Sequence, residues 1–160
     1  MERFLDMFIA FRIKPDLISS TKESVIEELI DTLFDAGIID LEKRKAILEA
    51  VLEREMIVST GIGSGLAIPH CHYENIDGPI GSFGRIKDGL EFDSLDGEPA
   101  YLFFLVVTPK KDSEAHIKIL SSISEAIGNG DFYQRLLEAE TEEKIKEVLN
   151  SIPIVTKVEQ

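Results

Sequence analysis

The sequence predicts a single α/β domain in which a mixed central β-sheet is flanked by α-helices. Two observations lead to this prediction. Segments with helical periodicity alternate along the chain with short apolar segments that have the composition of β-strands. The segment 100–108 is apolar at both alternating sets of positions, which is typical of a strand in the middle of a sheet covered on both faces.

Composition and charge exclude several classes of protein. The chain has 160 residues, of which 44% are hydrophobic and 29% charged, as expected for one globular domain. Its formal net charge of −13 argues against nucleic-acid binding and against docking on anionic membranes, and no segment has the composition of a transmembrane helix. A single cysteine, Cys71, allows no intrachain disulfide, and the N-terminus lacks a signal-peptide pattern. We therefore expect a cytoplasmic protein.

The N-terminal segment 1–16 is predicted to be an extension that packs on the domain. Its apolar residues would share one helical stripe, and Lys14-Pro15 would end such a helix. The domain itself is expected to span residues 17–150. Residues 151–160 are expected to form a loose C-terminal tail.

Capping patterns predict the first two helices. Ser20 and Glu23 have the spacing of a capping box, and Gly37 is suited to the position after the last turn. Asp40 predicts the start of a second helix, which should run to about Glu55.

Short strands and further helices follow. Strands are predicted at 66–68 and 80–86, ahead of the central strand, which should end at Pro109. Three more helices are then expected, with caps at Asp112 or Ser113, at Asp131 and at Thr141.

The longest uncharged stretch runs from Met56 to Tyr73 and contains two of the three histidines. Its glycine pattern is neither a Walker loop nor a dinucleotide fingerprint, because no suitably spaced helix follows it. His70 comes directly after Pro69 at the end of a predicted strand. Functional sites of α/β proteins collect at strand ends, so this histidine is the leading candidate for chemistry.

The sequence TGIGSGLAIPH at 60–70 resembles the active-site motif of enzyme IIA domains of the fructose–mannitol type. These domains belong to the phosphoenolpyruvate-dependent sugar phosphotransferase system, and the resemblance includes the nitrogen-regulatory branch of the family. Arg54-Glu55 before the motif and AHIKIL at 115–120 after it also match in type, order and approximate spacing. The similarity covers about residues 17–150.

The resemblance implies a phosphotransferase component that works through a phosphohistidine intermediate. His70 would accept a phosphoryl group from the phosphocarrier HPr or a paralogue, His116 would stabilise it, and Arg54 would contribute charge or orientation. The protein would then signal to a regulatory target protein by its phosphorylation state, which is slightly favoured, or pass the phosphoryl group to a IIB domain for sugar uptake. Regulation is favoured because transport components are often fused to IIB or IIC domains, and the sequence contains no segment expected to form either. No metal or cofactor is expected, and the oligomeric state is left open.

The chemistry of phosphoryl transfer is consistent with these roles. It requires in-line positioning, stabilisation of charge on the phosphoryl oxygens, and an unprotonated imidazole nitrogen. Backbone and hydroxyl donors in the glycine-rich loop are predicted to cradle the phosphate. These predicted phosphate-binding residues are Thr60, Gly61, Gly63, Ser64 and Gly65. An apolar apron suited to a transient partner is predicted at Ile57, Ile62, Leu66 and Ile68.

Two residues after the motif depart from the family or open an alternative. Cys71 stands where the family commonly has glycine, and its side chain narrows the approach to the backbone. If residues 70–72 are extended, His70 and His72 point the same way. Together with His116 they would form a three-histidine zinc site with one open position, as in metal-dependent hydrolases.

Overall fold

In the computed structural model, which describes residues 2–129 and 131–156, helices and strands alternate around one mixed sheet. A short 3-10 helix at Phe4–Met7 comes first. The strands are β1 (Ala10–Asp16), β2 (Gly61–Gly63), β3 (Leu66–Ala67), β4 (His70–Tyr73), β5 (Ile80–Leu90) and β6 (Ala100–Pro109). The helices are α1 (Lys22–Asp35), α2 (Leu41–Ile57), α3 (Ser113–Asn129), α4 (Phe132–Glu138) and α5 (Glu142–Asn150).

Strand β6 is the axis of the sheet. It pairs antiparallel with β5 along one edge, and β5 in turn pairs parallel with β1. Its other edge is shared by two short parallel strands, β3 opposite Leu102 and β4 opposite Val106. The sheet therefore has the order β1-β5-β6-β3-β2, with β4 beside the carboxyl half of β6. The predicted mixed α/β class is confirmed.

The two faces of β6 belong to two hydrophobic cores. Phe103, Leu105 and Val107 pack into the core that α1 and α2 cover, as β6 alternates its side chains across the sheet. Leu102, Phe104 and Val106 pack into the opposite core, which α3, α4 and α5 cover. This burial on both faces explains why the strand is apolar throughout, as the sequence predicted.

The N-terminal segment differs from its prediction. Helical structure ends at Met7, and residues 10–16 form β1, which pairs with β5 from Ala10 opposite Ile80 and has a register shift between Lys14 and Asp16. Pro15 is compatible with this position because β1 lies at the edge of the sheet, where a missing backbone donor is tolerated. The expected helical stripe is therefore wrong, and residues 10–16 are part of the sheet rather than an extension of the domain.

The helix starts are mostly where the sequence places them. Asp40 accepts a hydrogen bond from the Lys43 amide at the start of α2, and Thr141 accepts one from the Lys144 amide at the start of α5. The cap of α1 is one residue later than predicted. Thr21, and not Ser20, begins this helix, because its hydroxyl and that of Ser24 form the reciprocal capping box.

The C-terminal segment is partly anchored. Ile152 is buried in the core beside α5, and the amide of Val155 donates a hydrogen bond to the Ser122 hydroxyl. The predicted loose tail at 151–160 is therefore wrong for its first residues, and residues 157–160 lie outside the described part of the chain. None of the helices formed by the described residues is long and apolar enough to cross a membrane.

Candidate functional site

His70 begins β4 and is held in one ring orientation by its own backbone neighbourhood. Pro69 directs the chain into the strand, and its carbonyl accepts a hydrogen bond from the Val106 amide of β6. The His70 ring then turns back so that Nδ1 lies 2.7 Å from the Ile68 carbonyl oxygen. A carbonyl oxygen can only accept, so Nδ1 carries the proton and donates it. In the neutral ring, the lone pair is therefore at Nε2.

His116 comes to the same place from the first turn of α3. Its ring centroid lies 5.2 Å from that of His70, with the two planes at 64°. His72, two residues along β4 and hence on the same face as His70, lies closer still, with its centroid 4.1 Å from that of His116. The structure thus brings together the three histidines that the sequence singled out.

Thr108 lies between two of these rings. Its hydroxyl is 2.6 Å from Nδ1 of His116 and 3.2 Å from Nδ1 of His72. The register of the sheet explains this contact, because His72 of β4 lies directly opposite Thr108 of β6. Thr108 is fully buried and follows the apolar run of its strand, which is the sequence signal that could have pointed to it.

Arg54 completes the pocket from the last turn of α2. One of its guanidinium nitrogens donates a 2.8 Å hydrogen bond to the Val58 carbonyl, which ties the side chain to the end of the helix. An open pocket of about 330 Å³ lies between this helix and the histidines. Its lining residues are Ala50, Glu53, Arg54, Ile57, His70, Cys71, His72 and His116.

The electrostatic environment keeps the two central imidazoles neutral. Burial lowers the pKa of His70, and the nearby Arg54 guanidinium acts in the same direction. Burial, with further contributions from His72 and His70, lowers the pKa of His116 to about 4. At neutral pH, His70 can therefore act as a nucleophile through Nε2, while His116 has one ring proton with which to donate a hydrogen bond.

The glycine-rich loop is not part of this pocket. Both the amide and the hydroxyl of Thr60 donate to the buried carboxylate of Glu55, at 2.8 Å for the amide. The Gly61 amide donates to the Ser59 hydroxyl, and the Ser64 amide donates to the Asp96 carboxylate at 2.9 Å. These donors are engaged within the protein, and residues 60–65 do not line the histidine pocket.

The glycines of this loop have a structural reason instead. Gly63 and Gly65 flank the turn between β2 and β3 with φ angles of 100° and 81°, a region that favours glycine. A side chain at Gly63 would also meet the Asp96 carboxylate at 3.0 Å. The residues of the predicted cradle, Thr60, Gly61, Gly63, Ser64 and Gly65, thus form a tight turn that delivers β3 and β4 to the sheet, and their contact with a phosphoryl group stays a prediction.

Glu55 is the anchor that the sequence analysis did not identify. Its carboxylate is buried, accepts from Thr60 and forms a 2.9 Å ion pair with Lys22 of α1. An acidic residue in the last turn of a helix opposes the helix dipole. This unfavourable position of Glu55, directly before the uncharged stretch, was the signal in the sequence that its carboxylate has a specific partner.

The surroundings of the pocket are only partly as predicted. Cys71 lines the pocket but is buried in the core under α1 and α2, and burial raises the pKa of its thiol to about 12. Ile57 and Ile62 are exposed, whereas Leu66 and Ile68 are buried in the core and are not part of an apolar apron. The exposed large apolar residues between the end of α2 and the turn before β6 are Met56, Ile57, Val58, Ile62 and Leu95.

The zinc alternative is not supported by the geometry. Among residues 2–129 and 131–156, no group of three or more histidine, cysteine or acidic side chains is arranged to hold a metal ion. Instead, His72 and His116 both turn Nδ1 towards the Thr108 hydroxyl.

The fold and the pocket together define a class of protein. A neutral imidazole with one free ring nitrogen, at the rim of an open pocket and beside an arginine, is suited to group transfer through histidine. The family model described as "Phosphoenolpyruvate-dependent sugar phosphotransferase system, EIIA 2" matches residues 7–152. The chain belongs to this family, as the motif around His70 predicted. Members of the family act as phosphotransferase components.

Three curated proteins illustrate the relationship. The fructose-specific EIIA component of Haloferax volcanii is 39% identical over 133 residues, which cover 83% of this chain and 85% of that protein. The fructose-specific EIIABC component of Bacillus subtilis is 38% identical over 148 residues, which cover 92% of this chain but only 23% of that longer protein. A nitrogen regulatory protein of Pseudomonas aeruginosa is 30% identical over 135 residues, which cover 81% of this chain and 82% of that protein.

Two solved structures share the fold. Nitrogen regulatory protein IIA-Ntr from Neisseria meningitidis matches with a TM-score of 0.72 and 25% identity, covering 86% of this chain and 92% of that chain. Enzyme IIA-Mtl of Escherichia coli, solved in complex with phosphorylated enzyme IIB-Mtl, matches with a TM-score of 0.68 and 20% identity over 86% and 92% of the two chains. The relatives thus include both fructose-specific and nitrogen-regulatory proteins, as predicted.

Proposed function

We propose that this protein carries a phosphoryl group on Nε2 of His70, accepts it from an HPr-like phosphocarrier and passes it to a IIB domain. The observation that carries the proposal is the hydrogen bond from His70 Nδ1 to the Ile68 carbonyl, because it leaves Nε2 as the lone-pair nitrogen. The family supports the reaction class, and it supports placing the protein in the cytoplasm.

The transfer is a displacement at phosphorus between two imidazoles. The lone pair of His70 Nε2 attacks the phosphorus of the donor phosphohistidine, and a new N–P bond forms. The donor's N–P bond breaks, and its electron pair returns to the donor's ring nitrogen. Onward transfer repeats this exchange with His70 as the leaving group, so catalysis rests on positioning and on stabilising the phosphoryl oxygens.

Two neighbours of His70 are proposed to stabilise those oxygens. His116 lies with its ring centroid 5.2 Å from that of His70 and keeps one ring proton for a hydrogen bond. Arg54, which lines the same pocket, brings a permanent positive charge to a chain whose net charge is −13. Neither role needs a cofactor.

The choice between sugar transport and regulation rests on the relatives. Fructose-specific proteins are 38% and 39% identical to this chain, against 30% for a nitrogen regulatory protein. These identities favour transfer to a IIB domain of the fructose type over the regulatory role that the sequence analysis slightly favoured. The regulatory role, with a target protein that distinguishes phosphorylated from unphosphorylated chain, is the second candidate.

Reconstitution with phosphoenolpyruvate, enzyme I and HPr tests the proposal. We expect one acid-labile, alkali-stable phosphate per chain, none in His70→Ala, and transfer rates reduced by about 10²-fold in His116→Ala and Arg54→Ala. His72→Asn serves as a control for loss of a neighbouring imidazole, and it should still be labelled. Wild-type protein that stays unlabelled, or label that survives His70→Ala, would contradict the proposal.

Adding a fructose-type IIB domain then separates the two outputs. Phosphate that leaves His70 for the IIB domain supports transport. Phosphate that stays on His70, together with a partner that binds His70→Asp differently from wild type, supports regulation.

A further inference from the structure

The Thr108 hydroxyl forms a bridge that phosphoryl transfer through His70 does not by itself require. It lies 2.6 Å from His116 Nδ1 and 3.2 Å from His72 Nδ1, so one hydroxyl contacts two imidazoles. Thr108 is fully buried and His116 nearly so, whereas His72 is exposed. The bridge therefore connects a ring at the protein surface to the ring beside the nucleophile.

The hydroxyl can satisfy both imidazoles in only a few ways. It has one proton to donate and lone pairs with which to accept, while each neutral ring has one protonated and one unprotonated nitrogen. If Thr108 donates to His116, then His116 Nδ1 is unprotonated and its proton is at Nε2. If Thr108 donates to His72, then His116 Nδ1 carries the proton and its Nε2 holds a lone pair.

The two directions have opposite consequences for a phosphoryl group on His70. In the first, His116 can donate a hydrogen bond from Nε2 to an anionic oxygen. In the second, it would turn a lone pair towards that oxygen and repel it. Because burial and its neighbours lower the pKa of His116 to about 4, its ring has only one proton at neutral pH. The direction of the bridge thus decides where this proton is.

The first direction is the one that suits an anionic group on His70, because it places a donor rather than a lone pair beside that group. The shorter contact of the Thr108 hydroxyl, 2.6 Å, is to the buried ring of His116. Its contact to His72 is 3.2 Å, and in this direction the His72 Nδ1–H donates to the hydroxyl oxygen.

We propose that His72 and Thr108 are positioning residues for phosphoryl transfer: His72 Nδ1–H donates to the Thr108 hydroxyl, which donates to His116 Nδ1 and thereby keeps the His116 proton at Nε2, facing the phosphoryl group. This chain of hydrogen bonds assigns a role to an exposed histidine through its contacts with Thr108 and His116. The role rests on the proposed function of His70, but the protonation pattern itself does not.

Nitrogen NMR of the histidine rings tests the direction of the chain in the unphosphorylated protein. Protonated and unprotonated ring nitrogens have well-separated shifts, so [15N]histidine labelling reports the tautomer of each ring. We expect His116 to be protonated at Nε2 and His72 at Nδ1 in the wild type. In Thr108→Val, which keeps the shape of the side chain, His116 should lose this preference, whereas Thr108→Ser should keep it.

Transfer rates from HPr test the consequence. We expect Thr108→Val to be slower than wild type by about tenfold, the effect of one lost hydrogen bond, and Thr108→Ser to recover most of the rate. His72→Phe should show a loss in the same direction. His72→Asn should restore most of the rate, because the asparagine amide nitrogen takes the place of Nδ1.

Several results would overturn this proposal. If His116 is protonated at Nδ1 in the wild type, the hydrogen bonds run in the opposite direction. Equal transfer rates in Thr108→Ser and Thr108→Val would show that only the packing of this side chain matters. If His72→Phe leaves the His116 tautomer unchanged, His72 is not part of the chain of hydrogen bonds. If Thr108→Val does not fold, the His72 pair decides the question. Wild-type protein that accepts no phosphate would contradict the proposed function, while the NMR comparison would still decide the hydrogen-bond direction.

Discussion

Two regions of the chain that are continuous in sequence have different tasks in the structure. The glycine-rich loop at 60–65 and the histidine pair of β4 both belong to the uncharged stretch from Met56 to Tyr73. The polar groups of the loop bond within the protein, to the buried carboxylate of Glu55 and, at the exposed tip of the loop, to that of Asp96. The histidines instead face an open pocket, where His70 keeps a free ring nitrogen.

The two parts of this stretch therefore differ in purpose: the loop sets the position of the strands, and the histidines line the pocket. Glycines are needed where the backbone takes positive φ angles between β2 and β3, and the polar groups beside them secure that turn. The turn fixes where β3 and β4 lie along β6, and this register places His70 and His72 on the face covered by α3. In the proposed function, the loop therefore contributes only by positioning β3 and β4, whereas the pocket residues contact the phosphoryl group.

The largest expected effect is on the loop. In Glu55→Ala, the Lys22 ammonium loses its 2.9 Å partner and the Thr60 amide loses its acceptor, all in a buried setting. Lys22 then keeps the exposed carboxylate of Asp93, 3.7 Å away. Because removing one member of a buried ion pair is strongly destabilising, we expect the free energy of unfolding to fall by about 3 kcal/mol. Urea denaturation measures this loss, and Glu49→Ala, an exposed change on the same helix, is the matched control.

Glu55→Ala also tests whether Glu55 only stabilises the loop or takes part in phosphoryl transfer. If the variant keeps its stability but transfers phosphate slowly, Glu55 belongs to the chemistry and the comparison of the two regions fails. If both regions respond together, transfer should recover under conditions that restore folding, such as added osmolyte.

The next effect belongs to the pocket and depends on pH. The pKa of His116 is about 4 in the folded chain, whereas an unfolded histidine titrates near 6.5. Between these values the unfolded chain binds a proton that the native chain does not, so stability falls as the pH is lowered through this window. From pH 7 to pH 5 we expect His116 to account for a loss of about 2 kcal/mol.

Comparing wild type with His116→Asn isolates the part of this stability loss that His116 causes. Urea denaturation of wild type and His116→Asn at pH 7 and pH 5 cancels the contributions of other titrating groups. The wild type should lose more stability on acidification than the variant does. Equal losses would mean that His116 is as readily protonated in the folded chain as in the unfolded one.

The smallest expected effect is that of Asp96→Ala, which tests whether the loop binds phosphate. Asp96 accepts hydrogen bonds from the amides of Ser64 and Glu98, which lower the pKa of its carboxyl group. Asp96→Ala frees the Ser64 amide at the tip of the loop. If the loop is only structural, the transfer rate should stay within about twofold of wild type, with a slightly lower melting temperature. A markedly faster transfer would instead favour a phosphate cradle at the loop, and Asp88→Ala controls for the loss of an exposed charge.

Much of this molecule follows from local sequence. The apolar run of β6 predicts a central strand because a strand buried on both faces needs apolar residues at every position. Asp40 and Thr141 predict helix starts because a cap is made by neighbours three residues apart. The motif around His70, with Arg54 and His116, identified the family and the residues of the pocket.

The tertiary structure decided what depends on contacts between distant segments. Residues 10–16 form a strand because β5 offers them a free parallel edge, which their own pattern does not reveal. Thr60 anchors the loop because the buried carboxylate of Glu55 accepts hydrogen bonds from its amide and hydroxyl. The bridge from His72 to His116 exists because the register of β4 on β6 puts Thr108 between them, and a register is a property of paired strands rather than of either strand alone.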